Sequence, residues 1–156
     1  MNLTPQNPAY FEQLLAFGDD LQRRCRADAI DPIVYGSLAY LYYTRDCSIA
    51  IDDIDFLVPE RHFPAVMAAV AAMPGTRTET TVYHSVKFFR DGAKIAFDAS
   101  EHYGPVPGFE PVKVEINGRS FRLLDLANLR EAYRRGVETI PVKAAAYRSK
   151  LERLSR

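Results

Sequence analysis

Two carboxylates placed two residues apart on a strand are the feature of this sequence best suited to chemistry. Asp53 and Asp55 lie in the segment 51–58, IDDIDFLV, where alternation predicts a strand with both carboxylates on one face and apolar side chains on the other. Two like charges side by side repel each other unless a positive charge lies between them. A hard divalent cation with oxygen ligands, Mg²⁺ in particular, would supply that charge. An exposed edge strand with solvated carboxylates would explain the same pattern.

A third carboxylate, Asp98, ends the predicted strand 94–98, KIAFD, in which Ile95 and Phe97 point to the opposite face. If this strand neighbours the strand with the Asp pair, all three carboxylates converge on one face of a sheet. The alternative is that Asp98 only caps a turn.

A glycine and a serine join a short apolar strand, Ile33–Tyr35, to a predicted helix. Gly36 would let the backbone approach a ligand closely, and a helix N-terminus offers free N–H groups to phosphate oxygens. The Ser37 hydroxyl would add one more donor. Taken alone, such a junction is also what an ordinary turn looks like.

The elements that would position these residues alternate between helix and strand in the N-terminal half. Asn7 followed by Pro8 predicts a helix start with Asn7 as the cap, and Pro59 predicts a strand end. The remaining boundaries follow from apolar periodicity, and the predicted ranges are helices 8–26, 38–45 and 60–73 and strands 33–35 and 50–58.

Two hairpins are predicted further along the chain, because Asp91-Gly92 and Asn117-Gly118 are typical two-residue turns. The first turn would set Phe88 opposite Ile95 and Ser85 opposite Asp98, and the second would set Val114 opposite Phe121. A loop rich in Gly and Pro is predicted over 103–111. Two helices end the chain, 124–135, stopped by Gly136, and 141–154, with Thr139 as its cap. Helices intermixed with antiparallel hairpins predict an α+β fold with a mixed sheet.

The combination of these motifs resembles the nucleotidyltransferase superfamily related to DNA polymerase β. The residues that carry the likeness are Val34-Tyr35-Gly36-Ser37 and Asp53-Ile54-Asp55-Phe56, with Asp98 as the third carboxylate. The long gap between Ser37 and Asp53 is similar to the AbiEii-type and lincosamide-resistance branches. Asp52 departs from the family pattern, since a small hydroxyl residue often precedes the first carboxylate.

The resemblance implies a nucleotidyltransferase core over 1–123 and a C-terminal helical segment, 124–156, packed on it. It implies that Asp53, Asp55 and Asp98 are catalytic and bind Mg²⁺, as two ions with NTP present, and that Gly36 and Ser37 hold the triphosphate. The implied reaction moves a nucleoside monophosphate from an NTP to a hydroxyl, here of a small molecule because 156 residues leave no room for a separate nucleic-acid domain.

Two basic residues are further candidates for nucleotide binding. Arg45 follows the Gly-Ser helix, where it would reach the triphosphate or remain a solvated surface residue. Lys87 shares its predicted face with Asp98 and would neutralise phosphate charge or pair with a carboxylate. His84 and His102 flank the third strand region, where a lone histidine is more often structural than catalytic.

The composition of the chain restricts the classes of partner that it could bind. Twenty Lys and Arg balance twenty Asp and Glu, which disfavours a nucleic-acid-binding domain, and no segment predicts a membrane span or a secretory signal. Cys25 and Cys47 lie in no zinc-ligand pattern and are expected to be reduced thiols of a cytoplasmic protein. A homodimer or a protein partner, a role in a toxin–antitoxin pair, and a nucleotide-binding pseudo-enzyme remain alternatives.

Overall fold

A mixed sheet of seven strands organises the chain in the computed structural model, which describes residues 1–104 and 110–156. The strand order is β3-β4-β5-β2-β1-β7-β6. Most of the loop predicted over 103–111 lies outside the described residues. The strands are β1 (Ile33–Tyr35), β2 (Asp53–Val58), β3 (Thr76–Thr80), β4 (Ser85–Arg90), β5 (Ala93–Ala99), β6 (Val112–Ile116) and β7 (Arg119–Leu123).

Helices flank this sheet, which confirms the predicted α+β class with a mixed sheet. Short 3₁₀ turns, Glu60–His62 and Pro141–Lys143, precede two of them. The α-helices are α1 (Pro8–Ala27), α2 (Gly36–Thr44), α3 (Phe63–Ala71), α4 (Ser100–Tyr103), α5 (Leu126–Thr139) and α6 (Ala144–Leu154).

Both predicted hairpins form in the predicted registers. Phe88 pairs with Ile95 and Ser85 with Asp98 between β4 and β5, and Val114 pairs with Phe121 between β6 and β7. Sequence-distant pairings complete the sheet: β2 runs parallel to β5, β1 parallel to β7, and β1 antiparallel to β2. The edge strand β3 was not predicted, since most of its side chains are exposed and it carries no apolar alternation.

One part of the apolar core lies between the sheet and α1. Gly18 of α1 faces β2 and β5 so closely that a Cβ atom there would lie 2.8 Å from Ile54 Cδ1 and 3.6 Å from Ile95 Cδ1. Phe56 and Phe97 are fully buried on the same two strands, with ring centroids 5.1 Å apart. Burial of this face leaves the opposite face of β2 and β5 for the polar residues.

Asn7 is the N-cap residue of α1, as predicted, although its side chain makes no capping hydrogen bond, and β2 begins three residues later than predicted. Both differences have one cause. Asn7 donates from Nδ2 to the Ile51 carbonyl at 2.7 Å and accepts from the Ile51 N–H at 3.0 Å, so neither backbone group of Ile51 is left for the sheet. The strand therefore starts at Asp53.

Gly136 does not stop the helix that was predicted to end there, because α5 continues to Thr139. The glycine instead makes room for an aromatic ring of α6, since a Cβ atom on residue 136 would lie 2.6 Å from Tyr147 Cδ2. Thr139 belongs to α5 and caps nothing, as its hydroxyl donates to the Arg135 carbonyl. The start of α5 has a side-chain cap, Asp125, which accepts from the Asn128 N–H.

The C-terminal helices contact each other and α2. Leu154 is buried, and Arg130 of α5 donates to its carbonyl through Nε at 3.1 Å. Arg153 of α6 forms an ion pair with Asp46, which follows α2. The division into 1–123 and 124–156 stays a prediction. No helix within the described ranges combines the length and apolar character that crossing a bilayer requires.

Candidate active site

The pairing of β2 with β5 places the three carboxylates on one face of the sheet. Asp53 lies opposite Lys94 and Leu57 opposite Asp98, and side chains of directly paired residues share a face. Asp98 is therefore diagonal to Asp55, one side-chain step further along the neighbouring strand. The two strands are neighbours, as convergence of the three carboxylates requires.

Hydroxyl groups from two other strands hold Asp98. Tyr35 of β1 donates to Oδ2, and Ser85 of β4 donates to Oδ1 at 2.6 Å. Burial raises the pKa of Asp98 above its usual value, as does the Asp53 charge, while the two hydrogen bonds and Lys87 act in the opposite direction. The carboxyl group is thus oriented at both oxygens and has a pKa nearer to neutrality than a free aspartate.

Asp55 lies against the backbone of the Gly-Ser turn. Gly36 has φ +66, and a Cβ atom on this residue would lie 2.5 Å from Asp55 Oδ2. Burial, Asp53 and Asp98 together raise the pKa of Asp55 well above its ordinary value, opposed by Lys143 and Lys94. The carboxylate is thus crowded by like charge and backbone, which favours a bound cation over an empty site.

Asp53 is the carboxylate with a basic partner. Lys94 Nζ lies 3.2 Å from Asp53 Oδ2, and both side chains are partly exposed. Although burial acts against it, the pKa of Lys94 is raised by the Asp53 charge and hydrogen bond. The ammonium group of Lys94 balances the charge of Asp53, and its charge also acts to lower the pKa of Asp55.

A lysine from the C-terminal helix α6 reaches the Gly-Ser turn. Lys150 Nζ donates to Ser37 Oγ at 3.3 Å, and it lies 5.5 Å and 5.4 Å from the ring centroids of Tyr40 and Tyr133. Burial lowers the pKa of Lys150, and the Asp55 charge opposes this shift. An ammonium group between two rings and a hydroxyl is well placed to bind an anion at the N-terminus of α2.

The structure places the two other predicted nucleotide-binding residues differently. Lys87 lies opposite Ala96 on the face that carries Asp98, and its charge lowers the pKa of that carboxyl group. Arg45 is not brought to this site: it is exposed and ends α2 with φ +54. Because α2 has nine residues, Arg45 lies about 13 Å along the helix axis from Gly36.

Sequence reasoning did not assign Lys150, Tyr35 or Ser85 to the site. A signal for the first existed, because Lys143, Tyr147 and Lys150 recur at i, i+4 and i+7 and so share one side of the helical tail. The hydroxyl donors had a weaker signal. Ser85 was predicted to pair with Asp98, but nothing in the sequence indicated that β1 would bring Tyr35 to the same carboxylate.

Comparisons with known proteins gave matches among solved structures. Neither the family models nor the curated proteins gave a match. ANT(2'')-Ia in complex with adenylyl-2''-tobramycin is similar over 92% of this chain and 87% of that chain, with TM-score 0.62 and 16% identity. A nucleotidyltransferase from Thermotoga maritima is similar over 90% and 94%, with TM-score 0.57 and 18% identity.

A lincosamide antibiotic adenylyltransferase with lincomycin bound is similar over 92% of this chain and 96% of that chain, with TM-score 0.59 and 12% identity. These likenesses span most of the length of each chain. They show that this chain has the nucleotidyltransferase fold, as its motifs predict.

Proposed function

We propose that this protein is a nucleotidyltransferase that moves a nucleoside monophosphate from an NTP to a hydroxyl group of a small molecule. The observation that carries the proposal is the placement of Asp53, Asp55 and Asp98 on one sheet face, directly beside the Gly36-Ser37 turn that opens α2. The similar solved structures with adenylyl-tobramycin and with lincomycin support a small-molecule acceptor.

The carboxylates fit Mg²⁺. Their oxygen donors are those that a hard divalent cation prefers. Burial and repulsion by Asp53 and Asp98 raise the pKa of Asp55, and a bound cation would offset both effects. Asp53, Asp55 and Asp98 would hold the metal, as two ions when NTP is present. An ion held by these carboxylates would supply charge neutralisation at the reacting phosphate and make the acceptor hydroxyl more acidic.

The Gly-Ser turn and the helix behind it would bind the triphosphate. Gly36 exposes backbone at a position where no side chain fits, and the N-terminus of α2 presents N–H groups to phosphate oxygens. Lys150, which donates to Ser37, would neutralise part of the phosphate charge, as would Lys87 on the sheet face that carries Asp98. Because Arg45 is at the far end of α2, we assign to Lys150 the role that the sequence gave to Arg45.

Asp98 is the group suited to receive the acceptor proton. The acceptor oxygen attacks the α-phosphorus, the bond from that phosphorus to the bridging oxygen breaks, and pyrophosphate leaves with the bond's electron pair. The proton of the acceptor hydroxyl passes to Asp98, the carboxylate that lies one side-chain step beyond Asp55 on the neighbouring strand. Tyr35 and Ser85 orient its two oxygens for this transfer.

Incubation with each NTP labelled at the α-phosphate, with Mg²⁺ and a panel of aminoglycosides and lincosamides, tests the proposal. Mass spectrometry should show one acceptor gaining a nucleoside monophosphate, with pyrophosphate released in equal amount. The panel should include this protein itself and other proteins, because a toxin–antitoxin component would label a protein instead.

The matched control is Asp52→Asn, which removes a carboxylate of the same segment that is exposed. It should keep the activity, whereas Asp53→Asn combined with Asp55→Asn should abolish it. NTP binding without transfer to any acceptor would favour the pseudo-enzyme alternative. Transfer that survives the double substitution would contradict the assignment of the carboxylate site.

A further inference from the structure

Three chain segments meet at the end of the sheet and bring two imidazoles and a carboxylate together. Glu60 follows β2, His84 precedes β4, and His102 lies in α4 directly after β5. His84 Nδ1 lies 3.0 Å from Glu60 Oε1, and His102 Nε2 lies 3.7 Å from Glu60 Oε2. One ligating atom from each residue lies within 4.8 Å of the other two. None of the three belongs to the carboxylate site.

Hydrogen bonds that do not involve the three side chains of the cluster hold the backbone of Glu60 and His84 in place. The Glu60 N–H donates to both oxygens of Glu101, at 3.0 Å and 3.2 Å. His84 has φ +59, a conformation that a side-chain-bearing residue adopts at a cost, and its carbonyl accepts from the Ala99 N–H at 2.9 Å. The segments are therefore fixed so that the three side chains face one another.

The donor atoms of this cluster and the distances between them suit a transition-metal ion that binds both nitrogen and oxygen ligands. Zn²⁺ binds imidazole nitrogen and carboxylate oxygen at about 2.0–2.2 Å, so tetrahedral donors lie roughly 3.4 Å apart. Glu60 Oε2 lies 3.1 Å from His84 Nδ1 and 3.7 Å from His102 Nε2, and these two separations bracket that value. We propose that Glu60, His84 and His102 bind a divalent transition-metal ion of the Zn²⁺ class, at a site separate from the Mg²⁺ carboxylates.

The two histidine rings need one adjustment to bind such an ion. They are stacked, with centroids 3.5 Å apart and planes 9° apart, so their in-plane lone pairs run side by side. Both side chains are nearly half exposed, at 46% and 45%, which leaves room for one ring to rotate about its Cβ–Cγ bond. Three protein ligands leave a coordination position open to water or to a small ligand.

The chemistry of the donors separates this site from the first one. Imidazole nitrogen suits Zn²⁺, Ni²⁺ and Cu²⁺, while Mg²⁺ prefers the oxygens of Asp53 and Asp55. The two sites are still linked along the chain. His84 precedes Ser85, which donates to Asp98, so an ion at the cluster would brace the segment that orients Asp98.

Titration of the chelator-treated full chain with Co²⁺ tests the proposal, because tetrahedral Co²⁺ with nitrogen and oxygen ligands has visible d–d bands. We expect the bands to saturate at one ion per chain and Zn²⁺ to displace the Co²⁺. A charge-transfer band from sulfur to cobalt would instead place the ion on Cys47 and overturn the assignment.

The chain offers a matched control, since its third histidine is His62, two residues from Glu60 and outside the cluster. His84→Ala and His102→Ala should each weaken Co²⁺ and Zn²⁺ binding by at least roughly 10–100-fold, the loss seen when only supporting residues of a metal site are removed. His62→Ala should leave it unchanged.

Asp53→Asn combined with Asp55→Asn separates this proposal from the proposed function. That variant should lose Mg²⁺-dependent transfer and keep the Co²⁺ bands. If His84→Ala and His102→Ala bind Co²⁺ as the parent does, or if the bands disappear in the Asp53→Asn, Asp55→Asn variant, the cluster is not the metal site.

Discussion

The backbone of Gly36 approaches the Asp55 carboxylate so closely that a Cβ atom on residue 36 would lie 2.5 Å from Asp55 Oδ2. The turn and the carboxylate therefore share one space, and a change in either residue displaces the other. Residue 36 also has φ +66, where non-glycine residues are strained by about 1–2 kcal/mol.

Gly36→Ala is expected to weaken NTP binding by more than about tenfold, a loss of roughly 1.4 kcal/mol, because the new methyl group must push Asp55 or the turn aside. Isothermal titration with a non-hydrolysable NTP and Mg²⁺ measures this. Gly75→Ala is the control, since residue 75 has φ +74 but nothing within 4 Å of a Cβ atom. It carries the same backbone strain without the clash, so it should lower stability and leave NTP affinity intact.

Asp55→Asn is expected to stabilise the metal-free protein at neutral pH. The pKa of Asp55 is higher in the folded protein than in the unfolded chain, so its protonated form favours folding. This contribution to stability is fully present below the unfolded-state pKa. It is lost as the pH rises through the folded-state pKa. The variant lacks this loss, so its advantage should grow with pH. Tm measured across pH in chelator should rise by about 2–4 °C for each kcal/mol of repulsion relieved.

Asp52→Asn serves as the control for that pH series, because Asp52 is exposed and precedes the first carboxylate of β2. Its Tm should follow that of the parent at every pH. An Asp55→Asn variant less stable than the parent at neutral pH would mean that this carboxylate makes favourable contacts that outweigh the repulsion.

Asp98→Asn is expected to lower turnover by orders of magnitude while NTP affinity changes by less than about 1.4 kcal/mol, roughly tenfold. The reason is that, in the proposed reaction, Asp98 receives the proton of the acceptor hydroxyl and the Gly-Ser turn binds the nucleotide. Ser85→Ala alters the surroundings of Asp98 and keeps its carboxyl group. It removes a hydrogen bond that lowers the pKa of Asp98, so the acid limb of the pH–rate profile should move to higher pH. Similar losses of kcat and NTP affinity in Asp98→Asn would instead indicate a nucleotide-binding role.

Lys150→Met is expected to weaken NTP binding by about tenfold, since it keeps an apolar stem between Tyr40 and Tyr133 and removes only the ammonium group. Arg148→Met is the control, because it removes a positive charge from an exposed position of the same helix. Titration calorimetry at two salt concentrations distinguishes a local contact from long-range attraction. Equal losses in both variants would rule out a specific contact of Lys150 with phosphate.

Gly136→Ala is expected to destabilise the protein, although an alanine in a helix is ordinarily favoured over glycine by about 1 kcal/mol. The added methyl group would lie 2.6 Å from the Tyr147 ring, and overpacking of this kind destabilises by about 1–3 kcal/mol. Denaturant unfolding measures the difference. In a Tyr147→Leu background the same substitution should become neutral or stabilising, and a penalty that persists there would show that the ring is not its cause.

Local features of this fold could be predicted from the sequence, and long-range ones could not. Asp91-Gly92 and Asn117-Gly118 adopt positive φ at all four positions, which is why these dipeptides determined both hairpin registers. The parallel pairing of β2 with β5 joins residues about forty apart, and no local pattern specifies it. The face shared by the three carboxylates was predictable only on the condition that these strands are neighbours.

For the candidate site, the sequence indicated the residues that lie on the strands and the turn, but it did not indicate the residues that other segments bring to them. Lys150 contacts Ser37 across 113 residues, and Tyr35 contacts Asp98 across 63. Arg45, in contrast, was assigned to nucleotide binding because it is near the turn in the sequence. Its position after the Gly-Ser helix looked close in sequence, but the straight course of α2 carries it away from the turn.

The parallel contact of β1 with β7 has a consequence for synthesis on the ribosome. Val34 pairs with Leu123, so one edge of β1 has no partner strand until about 90 more residues have been made. At about 5–20 residues per second this takes roughly 4–18 s. During that time the nascent chain carries an unpaired apolar strand, which is a template for association with other chains. Chaperone capture of nascent chains should therefore decline once residue 123 has left the exit tunnel.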